Sequence, residues 1–319
     1  MFLVCGEALF DFFSDEGQVA PDASSLSFTA VAGGSPMNVA IGLARLERPS
    51  AFFTGLAGDA LGERLRAVLA SESVDTDFMV EIAGSATTLA MVTLDDNGSP
   101  RYVFYNQCGA DRMLEPAHLP ASLESVHAIH VGSYALAVSP TSETLETLVT
   151  RERDRCLISL DPNVRLKVEP DVVRWRERID TFAAHAHLIK ISDEDLEALY
   201  PDQDPEDVIR GWLSDRCPMV IMTRGGDGVT LFTREGSESF SPEMISVMDT
   251  VGAGDSFMAA LLAWLDEQRL ATPEGPGQLT LDQRREMIEF AMRAAAHTCQ
   301  QRGPDLPRRQ DIVTSTPSY

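Results

Sequence analysis

The sequence predicts an α/β fold: a mostly parallel central sheet with helices on both faces, and a small β-sheet lid. Three observations predict it. Short apolar runs alternate with amphipathic helical stretches along most of the 319 residues, the pattern of β-then-α units. Two stretches rich in Val, Thr, Tyr and Phe interrupt that order. Near the C-terminus a glycine-rich turn runs straight into a long apolar helix, the place where open α/β sheets bind ligands.

In order, Phe2–Val4 ends at Gly6 and reads as a buried strand. Residues Phe10–Ser14 and 25–31 read as short strands around a polar turn at Asp15–Asp22. From Ser35, Pro36 and the apolar face of Val39, Ile41, Leu43 and Leu46 predict a helix that follows a glycine pair. Ala51–Thr54 is a strand leading to the amphipathic run Leu61–Leu69. The stretch Thr87–Gln107 carries two β-prone runs about Asp95, Asp96, Asn97 and Gly98, which is hairpin chemistry. Strands then follow at Ala128–Val131, Cys156–Leu160, Leu188–Ile191, Met219–Thr223 and Val229–Phe232. Helices are expected over Thr141–Thr150, Asp193–Tyr200, Pro205–Leu213 and Ser256–Gln268, with Ala271–Gly277 as a loop between C-terminal helices.

Composition excludes several classes of function. The chain carries 26 basic and 49 acidic side chains, a formal net charge of −23, whereas binding a nucleic-acid backbone relies on clustered Lys and Arg. No apolar run reaches membrane-spanning length, and the first residues lack the basic start of a signal peptide. Five scattered cysteines without Cys-x-x-Cys spacing read as reduced thiols. The expectation is a cytoplasmic protein of one domain over residues 1–319, with lid insertions at about 11–31 and 87–107.

The chemistry concentrates in Asp249–Phe257, DTVGAGDSF. Gly252 and Gly254 remove side chains at a helix start, so the amides of Gly252, Ala253, Gly254 and Asp255 can converge on one anion at the positive end of the helix. Neither a Walker-A loop nor a G-x-G-x-x-G fingerprint is present. A carboxylate beside a bound phosphate would repel it unless it engages a hydroxyl that attacks the phosphorus, and Asp255 fits that role. Read alone, Asp255 is a helix N-cap.

Nearer the N-terminus, Ala32–Ala40, AGGSPMNVA, offers a glycine pair for close approach and Asn38 as both donor and acceptor. Polyol hydroxyls demand such pairs, and Asp11 could accept from two neighbouring hydroxyls. Standing alone, Gly33 and Gly34 would be a plain turn and Asn38 a solvated helix residue.

Together these segments resemble the PfkB, or ribokinase-like, family of carbohydrate kinases, and GEALFDF (Gly6–Phe12), GSYALAVSP (Gly132–Pro140) and DPNVR (Asp161–Arg165) resemble its fructokinase branch. The resemblance implies a ribokinase-like three-layer α/β/α fold and an ATP-dependent sugar kinase, with fructose as first substrate. It implies Asp255 as catalytic base, Gly252, Ala253 and Gly254 as the anion hole, and Asp249 with the Val251 carbonyl around a monovalent cation such as K+. Asp11, Gly33, Gly34 and Asn38 are expected on the sugar, with Arg165 facing substrate or phosphate and Phe104 or Tyr105 packing from the lid. In TRGGDG (Thr223–Gly228), Thr223, Gly225 and Gly228 match the ATP-lining turn, and Arg224 is expected to reach solvent or a phosphate.

KISDED (Lys190–Asp195) resembles the element that organises magnesium and phosphate, so Lys190 and Ser192 are expected at the nucleotide and Asp195 near Mg2+ through water. The plain alternative is a helix start capped by Ser192. His297 and Cys299 could flank adenine. Glu47 replaces the glycine usual after the Ala-Arg-Leu run. Alternatives are 2-keto-3-deoxygluconate kinase, with Arg101 or Arg165 for the carboxylate, and a catalytically quiet sugar-binding regulator. A homodimer through exposed lid edges is expected.

Overall fold

The computed structural model describes residues 1–14, 24, 26–94 and 100–313. Strands β1 (Phe2–Cys5), β2 (Leu9–Ser14) and β3 (Phe28–Gly33) open the chain, followed by helix α1 (Ser35–Arg45), β4 (Ser50–Phe53), β5 (Gly55–Ala57), α2 (Ala60–Ser71) and β6 (Val80–Ile82). The lid hairpin is β7 (Leu89–Leu94) and β8 (Pro100–Tyr105). Then come β9 (Ala128–Gly132), α3 (Thr141–Glu152), β10 (Leu157–Asp161), α4 (Val172–Ala183), β11 (Leu188–Ser192), α5 (Asp193–Leu199) and α6 (Pro205–Trp212). Strands β12 (Met219–Thr223), β13 (Val229–Thr233) and β14 (Gly236–Phe240) precede α7 (Ala253–Glu267), α8 (Gly275–Gln278), α9 (Leu281–Cys299) and α10 (Arg309–Val313).

The large sheet has the order β14-β13-β12-β11-β10-β9-β1-β4. It is parallel from β4 to β12, and β13 and β14 are antiparallel at one edge. Side chains that alternate along a strand serve opposite faces. Phe2 and Val4, like Met219 and Ile221, pack under α1, α2, α7 and α9. Leu3, Cys5, Val220 and Met222 pack with α3, α4, α5 and α6. These are the three expected layers. The lid is a separate sheet in the order β3-β2-β7-β8, with β7 and β8 paired antiparallel. The turns at Asp15–Asp22 and at Asp95–Gly98 lie outside the described residues, as do Ser25 and the side chain of Arg101. Among the described residues no helix is long and apolar enough to cross a membrane.

Several elements differ from the sequence expectation. The third strand starts at Phe28 and runs on to Gly33, which carries the chain directly into α1. Helix α4 was not anticipated, although Asp171 caps it and Trp175, Ile179 and Phe182 bury one face at helical spacing. Strands β5, β6 and β14 were also missed; they are short, and β14 exposes Ser237 and Ser239. Helix α7 begins at Ala253, three residues earlier than Ser256. Glu47 adopts the left-handed φ of 62° that a glycine usually takes. Backbone bonds from Glu47 to Ala44 and from Arg48 to Leu43, both 2.9 Å, still close α1 in the usual way.

The packing of α1 on α7 positions the site, and Gly42 makes it close. A Cβ there would lie 2.7 Å from Ala259 Cβ and 2.8 Å from Leu306 Cδ2. Gly42→Val is expected to lower the unfolding free energy by about 1–3 kcal/mol in denaturant titration; an unchanged value would contradict this packing.

Candidate active site

The functional groups lie where the parallel strands end. Glu7 follows β1, Gly132 and Ser133 close β9, and Asp161, Ser192 and Thr223 end β10, β11 and β12. Above them the described residues enclose a cleft of about 1890 Å³. A single small ligand takes roughly 300–1,000 Å³, so this volume suits two ligands side by side.

Asp255 sits at its centre. It is the third residue of α7, 7% exposed, and it is not the N-cap; that position belongs to Gly252 at a φ of 80°. The Ser35 hydroxyl donates to Asp255 Oδ1 at 2.6 Å and Asn38 Nδ2 donates to Oδ2 at 2.8 Å. Asn38 is therefore a buried partner of the carboxylate, not a solvated helix residue. Ser35, which sequence reasoning passed over, shares this role; only its place one residue after the glycine pair hinted at it. A carboxylate offers about four lone-pair sites, so two remain for a ligand.

The glycine turn supplies the donors, with one correction. The Ala253 N–H is spent on the Thr250 carbonyl at 3.2 Å. The first bond inside α7 runs from Ser256 N to Gly252 O, 2.8 Å, so the amides of Gly254 and Asp255 lie ahead of the helix ladder and face the cleft. Gly254 also admits a cation. A Cβ there would lie 3.1 Å from Lys190 Nζ. Lys190 Nζ is held by Asp161 Oδ2 at 2.8 Å in a buried pair. Burial alone would discharge the ammonium, but Asp161, Asp195 and Asp255 together raise its pKa, so it stays a cation beside the helix start.

On the sugar side, Asp11, Gly34, Asn38, Phe104 and Arg165 line the cleft. Gly33 lies beneath them: a Cβ there would fall 2.7 Å from Asp11 Oδ2, so its part is to make room for that carboxylate. Burial pushes the Asp11 carboxyl up to about 6, with Arg165 opposing, which leaves it ionised at neutral pH. Phe104 faces inward, whereas its strand neighbour Tyr105 is 63% exposed and faces away.

On the other side, Thr223, Gly225 and Gly228 line the cleft. Gly228 has a φ of 95°, and a Cβ would sit 2.1 Å from the Phe240 carbonyl. Arg224 does not reach the cleft; its Nη2 turns back to Thr230 Oγ1 at 2.8 Å, because the turn joins a tight antiparallel pair. Ser192 lines the cleft and also caps α5 by accepting from Asp195 N at 3.0 Å. Asp195 Oδ1 accepts from Val164 N at 3.0 Å. Asp249 lies behind the turn, accepting from Val251 N at 3.1 Å and Gly303 N at 2.9 Å, while Val251 lines the cleft. Cys299 reaches the cleft and His297 does not. Apolar Met244, Ile245, Val247, Met292 and Ala296 add a shelf that the sequence did not reveal.

Comparisons with known proteins place the chain in a family. The model of the pfkB family of carbohydrate kinases matches residues 1–311. The chain is 37% identical over 310 residues to a fructokinase of Rhizobium leguminosarum bv. trifolii, covering 97% of this chain and 88% of that one. Among solved structures, the ATP-bound fructokinase of Xylella fastidiosa superposes with a TM-score of 0.87 at 24% identity, covering 98% of this chain and 97% of that one. An uncharacterized sugar kinase of Pyrococcus horikoshii in complex with ATP gives 0.81 at 26%, covering 99% and 98%. The chain belongs to the pfkB family of carbohydrate kinases. It is a sugar kinase with the ribokinase-like fold.

Proposed function

We propose that this kinase transfers the γ-phosphoryl group of ATP to the primary hydroxyl of fructose, forming fructose 6-phosphate, in the cytoplasm. The observation that carries it is the Asp255 carboxylate, fixed by Ser35 and Asn38 next to free helix-start amides and a buried ammonium. Asp255 orients the attacking hydroxyl and takes its proton late, as a loose phosphoryl-transfer transition state allows. The amides of Gly254 and Asp255, with Lys190, receive the charge that gathers on the transferred group. Asp11 accepts from sugar hydroxyls, and Phe104 covers an apolar face and keeps water out. Thr223, Gly225 and Gly228 accommodate the nucleotide phosphates and ribose, as the ATP complex of the Pyrococcus relative supports.

Two metals fit the residues present. The Asp195 oxygen not bonded to Val164 is placed to accept from water on Mg2+, whose remaining sites suit nucleotide oxygens and water. Asp249 keeps lone pairs beyond its two amides, so with the Val251 carbonyl it would hold K+. Bound there, the ions would offset the phosphate charge.

Fructose is favoured over an acidic sugar because Asp11, ionised at neutral pH, lines the sugar end of the cleft beside Arg165 and would repel a substrate carboxylate there. The 37% identity to the Rhizobium fructokinase supports the same choice. In a coupled ADP-release assay over fructose, ribose, 2-keto-3-deoxygluconate and nucleosides, fructose is expected to give the highest kcat/KM. Asp255→Asn should lower turnover about 10²–10⁴-fold with sugar binding nearly kept; turnover near that of the unaltered enzyme would refute the assignment.

The lid also supports a homodimer. Its edge strand β8 exposes Tyr105 and Val103 outward, and such an edge invites pairing with a second copy. Light scattering should give twice the 34.8 kDa chain mass; a monomer mass would remove the proposal.

A further inference from the structure

Two buried polar side chains stand together where β1 and β9 end, and one of them, Glu7, opens onto the cleft. Glu7 lines the cleft at 2% exposure, and its Oε2 has no hydrogen-bond partner among the described residues. Ser133 is 1% exposed and its Oγ is likewise unpartnered. They follow the neighbouring parallel strands β1 and β9, so the pairing of those strands brings them side by side.

Both are held by demanding backbone. Ser133 takes a left-handed φ of 58°, which a residue with a Cβ adopts at a cost. Before Glu7, Gly6 has a φ of 151°, and a Cβ there would come within 2.3 Å of Pro36 Cγ. The Glu7 carbonyl in turn lies 2.6 Å from where a Cβ on Gly34 would be. Glu7 is thus clamped against the start of α1, next to the residues that hold Asp255.

The contrast with Asp111 is informative. That neighbouring buried carboxylate is satisfied by the Tyr134 hydroxyl at 2.7 Å and the Thr88 hydroxyl at 2.5 Å. Glu7 has no comparable pair of donors: the hydroxyl acting on its carboxyl is that of Ser133, and Oε2 itself makes no hydrogen bond among the described residues. Burial pushes the Glu7 carboxyl up to about 8; Asp111 adds to this, and Ser133 and Arg165 oppose it. Near neutral pH it is therefore mostly an uncharged acid, with one donor and one acceptor. A hydroxyl has the same pair in reverse.

We propose that Glu7, with Ser133 beside it, forms a subsite that binds a sugar hydroxyl other than the one facing Asp255, and so helps to select the sugar. The inference rests on the sugar-kinase reading above and names a specificity residue for it. Unpaired buried groups are costly, and Glu7, with Ser133 behind it, borders a cleft that a polyol enters.

The test compares the unaltered enzyme with Glu7→Ala, Glu7→Gln and Ser133→Gly on fructose, 1-deoxyfructose, 3-deoxyfructose, 4-deoxyfructose and 2,5-anhydromannitol. Glu7→Ala is expected to raise the fructose KM about tenfold or more, and Glu7→Gln to recover most of that loss. For one analogue, lacking the hydroxyl that Glu7 reads, the unaltered enzyme should already show the loss and Glu7→Ala should add little. Ser133→Gly suits the positive φ and should show the same selectivity in smaller degree, even if Glu7→Ala fails to fold. An equal penalty on every sugar, or no change in KM, would overturn the subsite. If the unaltered enzyme phosphorylates none of these sugars, the kinase reading itself fails, and the subsite with it.

Discussion

The structure depends on one carboxylate shared between two helices. Asp255 in α7 accepts from Ser35 and Asn38 in α1, residues 220 and 217 positions away in sequence. Those bonds form only because Gly42 lets α1 approach α7 closely enough for Ala259 to touch it. Each partner belongs to a helix start preceded by a glycine of positive φ, Gly34 at 114° and Gly252 at 80°. The two glycine turns therefore bring two helix N-termini, both electropositive, to one point. An anion arriving at the neighbouring amides meets that field.

Charge inside the cleft runs against the charge of the whole. The chain carries −23, yet a buried Lys190 lies beside the helix start, and Arg165 acts on Glu7, Asp11 and Asp195. Asp161 pays for the burial of Lys190 by direct pairing, while its own carboxyl is pushed up to about 6 by burial. Near neutral pH the pair is ionised, and the cation stays available at short range. A strongly acidic exterior does not prevent binding of a nucleotide when the local field in the cleft is set by groups this close.

Much of this was legible in the sequence. The alternation of apolar runs and helical faces gave the layers, and DTVGAGDSF placed an acid and its amides at one helix start. What escaped was cooperation between distant segments. Ser35 looks like any residue at a helix start, and only the tertiary packing of α1 on α7 makes it a partner of Asp255. Arg224 was expected to reach solvent or a phosphate, but the tight β12–β13 pair turned it onto Thr230. Helix α4 had readable periodicity in Trp175, Ile179 and Phe182 and was overlooked. The short strand β14 had no such signal, because Gly236, Ser237, Glu238 and Ser239 carry no apolar alternation and its pairing is set by β13.

A crystal structure with fructose and a non-hydrolysable ATP analogue tests the central claim most directly. The account predicts an Asp255 carboxylate oxygen within about 2.6–3.2 Å of the sugar primary hydroxyl, with Ser35 and Asn38 still bonded to it and the terminal phosphate on the amides of Gly254 and Asp255. A bound sugar whose primary hydroxyl lies beyond reach of Asp255, or a terminal phosphate seated away from the start of α7, would contradict it.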